Sequence, residues 1–430
     1  MQGEILIAGG GIGGLVTALS LHQAGFSVRI YEAVPSIEPL GVGINLLPHA
    51  VRELDELGLR EALEAEGVLC RELAYCTKRG QRIWAEPRGL RAGYLWPQIS
   101  IHRGALQMVL LQAARERIGD ERIHLGHRVG HVESDGRGVH VALSDRHGAS
   151  HDRAEGALLV AADGIHSAVR KQFYPDEGPP RWNGAIMWRG VAEAPPYLDG
   201  HTMIMAGHPQ LKFVSYPISH RAEKPGHQQI NYIAEKRLPV AEEATPEERE
   251  DWTRRAQLED FAPLFEQWRF EWLDVPALIA ATDDVWIYPM VDRDPLPRWT
   301  HGRATLLGDA AHPMYPIGSN GASQAIVDAR VLTGCLLAYP GDPESALARY
   351  EDERRPATAK IVTANRGMGP ELPMQLVEER APHGFAHLHD VISHDELNTI
   401  AEQYKRLTGF AIEPLNSRPS LADPEHWSRP

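Results

Sequence analysis

Glu4-Ile5-Leu6-Ile7-Ala8-Gly9-Gly10-Gly11-Ile12-Gly13-Gly14 decides the architecture of this chain. Residues 4–8 read as a short strand buried on both faces. The glycines behind them satisfy G-x-G-x-x-G. Residues 15–25 read as a helix stopped by Gly25. Ser27-Val28-Arg29-Ile30-Tyr31-Glu32 reads as a second strand. Strand, helix and strand within about thirty residues make a βαβ unit. Gly9 allows the tight turn, Gly11 lets a pyrophosphate approach the backbone, and Gly14 lets helix and strand pack closely. The helix N-terminus then faces the phosphates. Glu32, 18 residues past Gly14, stands where a carboxylate takes ribose hydroxyls. With the strands and the acid in place, dinucleotide binding is favoured over a purely structural glycine-rich turn.

The rest of the chain bounds this reading. Lys plus Arg number 44 and Asp plus Glu 58 in 430 residues, a net charge of −14. That balance repels phosphate backbones, and the chain carries no basic stripe, so no nucleic-acid partner is expected. A hydrophobic share of 43% supplies a sizeable core. The three cysteines, Cys70, Cys76 and Cys335, make no disulfide framework and point to a reducing, cytoplasmic setting. Residues 5–28 hold no charged side chain and are long enough to cross a bilayer. Their glycines and the lack of a basic flank mark them as buried instead, and no membrane partner is expected. His383, His387, His389 and His394 lack the acid or cysteine that would complete a metal-ligand spacing, so no metal is expected.

Further along, Val51, Leu54, Leu57 and Leu63 mark one amphipathic stretch and Leu106, Val109, Leu110 and Ala113 another. Beyond Pro180 the pattern alternates at 185–191, 202–205, 212–216 and 230–233, as in antiparallel strands with one covered face. Thr245-Pro246-Glu247-Glu248 reads as a capping box opening a charged helix. Residues 303–308 return to the buried-strand style. The expected class is therefore α/β (α+β). A Rossmann-like dinucleotide domain in two pieces, 1–180 and 291–365, carries an inserted antiparallel-sheet domain, 181–290, and a helical C-terminal segment, 366–430.

Two more strings sharpen the assignment. One is Ala161-Ala162-Asp163-Gly164-Ile165-His166-Ser167-Ala168-Val169-Arg170. The other runs Gly308-Asp309-Ala310-Ala311-His312-Pro313-Met314-Tyr315-Pro316-Ile317-Gly318-Ser319-Asn320-Gly321-Ala322-Ser323. With the N-terminal fingerprint they resemble the single-component (class A) FAD-dependent aromatic hydroxylases, whose archetype is p-hydroxybenzoate hydroxylase. The stretch 314–330 is most similar to the phenazine-modifying hydroxylases. The resemblance implies FAD as cofactor, NAD(P)H as transient cosubstrate and O2 as oxidant. The distal oxygen of a flavin C4a-hydroperoxide would pass to a small aromatic or N-heteroaromatic substrate, with or without loss of a carboxylate. It implies that Asp309 accepts from ribityl hydroxyls, and that Gly318, Ser319, Asn320, Gly321 and Ala322 open a helix onto the flavin pyrimidine. Asp163 serves FAD and passing nucleotide, and Arg170 fixes that turn by pairing with Asp163 or a neighbouring carbonyl. Arg103, Ala33, Val129, Gly13, Gly43 and Pro316 complete the cofactor contacts. Gly41 and Gly43 leave room for the flavin to swing.

The substrate pocket is expected on one face of the inserted sheet, with Met187, Met203, Met205, Phe213, Tyr216 and Tyr232 as candidate liners. Plain core is the alternative for each. Tyr315, beside Pro316, is the candidate to orient a phenol or carbonyl. Arg189 and Lys212 are candidate acid anchors, with a solvent-facing strand position as the alternative. No catalytic base stands out, and the chain is expected as monomer or homodimer. Competing readings fit less well. A flavin halogenase would carry Trp-x-Trp-x-Ile-Pro, whereas the nearest string is Trp286-Ile287-Tyr288-Pro289. Residues 38–45 lack the Arg-x-Gly-Gly-Arg of an amine oxidase. A non-catalytic escort of the same fold would leave Asp309 and the 319–321 helix start without a role. No second G-x-G-x-x-G supports a separate nicotinamide domain.

Overall fold

Ile5–Ala8 is wholly buried and lies mid-sheet, paired in parallel with Val28–Glu32 on one side and Leu158–Ala161 on the other. The computed structural model describes residues 3–238, 254–367 and 369–428. In it the sheet runs in the order 300–301, 304–306, 158–161, 5–8, 28–32 and 123–125. Only its edge pair, Thr300–His301 with Ala304–Leu306, is antiparallel. Helix Ile12–Gln23 begins inside the glycine run, with Gly11 as its N-cap, three residues earlier than the sequence pattern suggested. It is apolar around most of its circumference because it is covered twice, by the sheet and by helix Gly321–Ala338. Ser20 and Thr333 satisfy each other across that contact at 2.8 Å.

The second sheet has eight strands, in the order 255–256, 282–292, 181–194, 228–237, 211–219, 202–208, 72–76 and 82–87. Glu72–Cys76 pairs in parallel with Thr202–His208. Residues 72–87 thus extend a sheet that the sequence pattern drew from 181–290 alone. The physical reason is that Leu73, Ala74, Tyr75 and Cys76 are all buried, so this strand has two apolar faces to cover and an edge to pair. Trp188, Ile204, Phe213, Tyr232 and Ala234 pack on one face of the sheet beneath Phe261, Phe265, Val275 and Leu278. The other face looks toward the parallel-sheet unit and the C-terminal segment.

That segment doubles back over the molecule. Arg52 donates to the carbonyls of Leu415 and Arg418, each at 2.6 Å. Trp427 fills the space over Gly334, where a Cβ would stand 2.4 Å from its Nε1. The capping box at Thr245 to Glu248 lies outside the described residues. Among the described residues no helix is long and apolar enough to cross a membrane.

Candidate active site

The glycine turn builds the first wall. Gly9 has φ +102°, and a Cβ there would stand 2.4 Å from the Ala162 carbonyl oxygen. A Cβ at Gly14 would come within 1.9 Å of the Gly9 oxygen, so Gly14 serves close packing beneath the turn and does not border the cleft. At Gly11 a Cβ would meet nothing within 4 Å. Here the backbone opens onto a cleft of about 670 Å³ bordered by Gly13, Arg103, Asp163, Asp309 and Ala322. An arm of about 240 Å³ continues past Gly9, Glu32, Ala33 and Val129. Gly11, Arg103 and Asp163 border both, so the two form one elongated trough.

Glu32 is held at the trough by the N–H of Gly10 at 2.6 Å and of Val34 at 2.9 Å, one to each carboxylate oxygen. Each oxygen keeps a second lone pair for a hydroxyl. Asp163 accepts from the Ala168 N–H at 2.9 Å, while its other oxygen is buried with no partner among the described residues. Burial pushes its carboxyl up. Asp309 projects into the trough, where solvent reaches it, yet the surrounding walls also push its carboxyl up.

The loop that carries Asp309 is braced from behind. Arg170 donates to the carbonyls of Ala310 and Ala311, both at 2.9 Å, and to Glu177 at 2.8 Å. It therefore pairs with neighbouring carbonyls and not with Asp163. Asp328, fully buried, accepts from the Gly308 N–H at 3.1 Å, from Arg354 Nε at 2.7 Å and meets His312 Nε2 at 2.5 Å. Burial alone would raise its carboxyl, but His312 and Arg354 hold it below the usual range. His312 thus belongs to the bracing, not to the trough.

A second cavity, of about 210 Å³, opens beside the trough. Ile44, Arg189, Tyr288, Asp309, Gly321 and Ala322 border both. Its sheet wall follows strand alternation: Met187 and Arg189, Met203 and Met205, Lys212, Val214 and Tyr216, Ile233 and Glu235. Phe213 and Tyr232 are therefore not liners. They stack on each other with ring centroids 5.5 Å apart on the opposite face. Phe213 and Tyr216 are three apart on one strand, so they could never share a face, and that spacing was visible in the sequence. Tyr315 is likewise turned away. Met314 and Pro316 border the cavity, whereas Tyr315 packs with Ala185, Met187, Met290 and Ile317 and borders a neighbouring space. Burial lifts its phenol to about 12.

Gly43 is buried in the cavity wall. Its N–H donates to Asn231 at 2.7 Å, and its carbonyl accepts from Arg189 at 2.7 Å and Tyr216 at 2.8 Å. A Cβ would stand 2.6 Å from that of Asn231. Both backbone groups are tied, so the conformational freedom expected at Gly43 is confined to Gly41, with φ +117°. Arg189 also lies 5.4 Å from the centroid of the Tyr288 ring and keeps a buried Nε with no partner among the described residues.

The turn 317–320 presents helix Gly321–Ala338 to the junction of trough and cavity. Gly318 (φ +71°) and Ser319 (φ +58°) are both left-handed, and a non-glycine residue held so is strained. The restraint comes from the C-terminal segment. Tyr404 Oη accepts from Asn320 Nδ2 at 2.9 Å and donates to Asn365 Oδ1 at 2.9 Å. A Cβ on Gly318 would stand 2.0 Å from that hydroxyl. Tyr404, Glu371, Tyr288 and Asn231 were not found by sequence reasoning. Only their place in the fold brings them here.

The trough fits a flavin dinucleotide. Gly11 and Gly321 leave their backbones bare to it, Asp163 keeps an unpartnered oxygen beside it, and helix N-termini open onto it at both. Comparison with known proteins agrees. A family described as "FAD binding domain" matches residues 2–365. The chain is 48% identical over 369 residues to phenazine 1,6-dicarboxylic acid hydroxylase of Lysobacter antibioticus, covering 85% of this chain and 89% of that protein. It is 31% identical to 3-amino-4-hydroxybenzoate 2-monooxygenase of Streptomyces cremeus, over 86% and 87% of the two chains. Klebsiella pneumoniae HpxO complexed with FAD and uric acid shares the fold at a TM-score of 0.72 and 24% identity, with 97% of each chain covered. An open trough for the dinucleotide, a methionine-walled cavity meeting it and relatives of this kind together establish that the chain belongs to the FAD-dependent aromatic hydroxylases and is an FAD monooxygenase.

Proposed function

We propose that this chain uses NAD(P)H and O2 to hydroxylate a flat, electron-rich aromatic or N-heteroaromatic carboxylic acid of up to fused-ring size. The observation that carries this reading is the cavity itself. Met187, Met203, Met205 and Tyr216 wall a space that meets the cofactor trough where Arg189 stands. Polarizable methionine and aromatic surfaces suit a planar apolar body, and one arginine with a buried unpartnered Nε suits a single acid.

Each protein group then has a physical task. Glu32 and Asp309 hold the cofactor through its hydroxyls, and Gly9, Gly11 and Gly13 let its phosphates reach the backbone. When bound, FAD supplies the redox chemistry and the activation of oxygen. Gly321 and Ala322, at a helix N-terminus, offer positive dipole ends to negative charge developing at the junction. Arg189 orients the substrate acid, and the buried sheet face excludes water from the reacting atoms. Tyr315 has no part in this scheme. Residues 1–180 and 291–365 would carry the cofactor. Residues 181–290, with 72–87, would carry the substrate, and 366–430 would close the site. We infer a cytoplasmic monomer or homodimer with no nucleic-acid or membrane partner.

The test is NAD(P)H oxidation by the FAD-loaded chain across hydroxylated, aminated and N-heteroaromatic acids, with product mass measured. A gain of one oxygen, or its exchange for a carboxylate, is expected only where a ring donor lies ortho or para to the reacting carbon. Without that donor, NAD(P)H consumption should yield hydrogen peroxide. Better turnover of non-aromatic ketones or amines would overturn the reading.

A further inference from the structure

Lys212, Glu235 and Glu371 border the substrate cavity, and none of the three borders the cofactor trough. Glu235 and Glu371 also border a neighbouring space of about 260 Å³, so the group sits at the cavity end remote from the junction. All three are buried, at 4%, 6% and 4% exposure. Lys212 Nζ reaches Glu371 Oε2 at 2.5 Å and Glu235 Oε2 at 2.9 Å. The hydrogen bonds within the triad use one oxygen of each carboxylate. The second oxygen of each has no partner among the described residues.

Burying three charges costs more than burying three apolar side chains of similar volume. Their place on the cavity wall puts this charge where a ligand would meet it. The charge count says which ligand. One cation faces two carboxylates, so the triad carries −1 when ionised and zero when one carboxyl holds a proton. Burial raises the Glu235 carboxyl against the pull of Lys212. Lys212, although a cation, is no acid anchor, because both carboxylates already engage it. The cavity is therefore polarised, with Arg189 at the junction and carboxylate oxygens at the far end.

Resting on the substrate class proposed above, we propose that the Lys212–Glu235–Glu371 triad is the specificity determinant for the far end of the substrate. It accepts a hydroxyl, amino or ring N–H and excludes a second carboxylate. On this account the chain takes a monoacid carrying a remote donor, in contrast to the diacid named for the Lysobacter relative.

The test is binding to the FAD-loaded full chain, read from perturbation of the flavin spectrum. The probes are 6-hydroxyphenazine-1-carboxylate, phenazine-1-carboxylate and phenazine-1,6-dicarboxylate. 3-Hydroxybenzoate against benzene-1,3-dicarboxylate serves as a one-ring pair. The wild-type chain should prefer each hydroxy acid to its diacid by about tenfold or more, since like charges meet in the diacid complex. Glu235→Gln and Glu371→Gln each remove one negative charge at nearly constant size. They should close most of that gap by gaining diacid affinity, seen in KM rather than kcat. Glu235 stands on a strand and does not anchor the C-terminal segment, so it keeps the test open if Glu371→Gln loosens that segment. A wild-type preference for the diacid, or an unchanged ratio in both variants at normal melting temperature, overturns the inference alone. Binding of no aromatic acid overturns the substrate class and this inference with it.

Discussion

Asp309, which we propose holds the cofactor, stands where its own charge is disfavoured. Its carboxyl faces the trough under walls that disfavour its charge, and its loop is held by Arg170 and Asp328 instead of by its own bonds. Asp309→Ala should weaken FAD binding by ~1.5–3 kcal/mol, the value of a charged hydrogen bond, while the apoprotein melts no lower than wild type. Flavin fluorescence on dilution and a thermal melt check the two halves. The two faces of the large sheet separate the packed core from the cavity wall just as sharply. Phe213→Ala should cost ~3–5 kcal/mol of stability and leave KM unchanged. Met205→Ala should raise KM several-fold, because that side chain lines the cavity. Denaturant titration beside steady-state kinetics tells these apart.

At the scale of elements, the decisive junction joins the C-terminal helix His394–Leu407 to the start of helix Gly321–Ala338. Tyr404 ties Asn320 and Asn365 together and so holds a strained turn in place. Tyr404→Phe leaves the buried Asn365 Oδ1 without its donor and Asn320 Nδ2 with the Gly318 carbonyl alone, which should cost about 1–3 kcal/mol. The turn then loosens at the junction, so a larger share of NAD(P)H should end as hydrogen peroxide, measured with an oxygen electrode before and after catalase. Gly318→Ala should do the same more severely, since its methyl would overlap the Tyr404 hydroxyl and its φ is left-handed. Equal coupling in Tyr404→Phe and wild type would show that the turn holds without the tail.

Across the whole molecule, His49 joins three parts of the chain. It stands on helix Pro48–Glu56, stacks on Phe410 at 5.6 Å and meets Gln324 Nε2 at 3.3 Å. Burial first, then Arg418 and Arg354, push its imidazole down to about 3. The unfolded chain binds that proton near pH 6.5, so the folded value is the depressed one. Its contribution is complete above about pH 6.5 and is lost as the pH falls toward 3, at about 1.4 kcal/mol per pH unit. Between pH 7 and 5 the loss should be about 2 kcal/mol. The check is the urea midpoint at the two pH values, where His49→Gln should flatten the difference relative to wild type.

The βαβ fingerprint, the acid at Glu32, the Asp163 turn and the Asp309 loop were legible in the sequence, because each is a local geometry that demands particular residues at fixed spacing. Gly9 and Gly14 could be read alone, since a Cβ at either collides with backbone a few residues or one strand away. The parallel core strand and the family followed from these strings. The substrate side was not legible in the same way. Alternation separates the two faces of a strand, but in a sheet buried on both sides it cannot say which face meets the cofactor. Phe213 and Tyr232 therefore fell on the wrong side, and Tyr315 turned away from the cavity. The partnership of Lys212 with Glu371 spans 159 residues, and the Asn320 bond to Tyr404 spans 84. The pairing of 72–76 with 202–208 has the same character. Such contacts have no local signature, because what creates them is the burial of two distant surfaces against each other, and only the tertiary structure decides that.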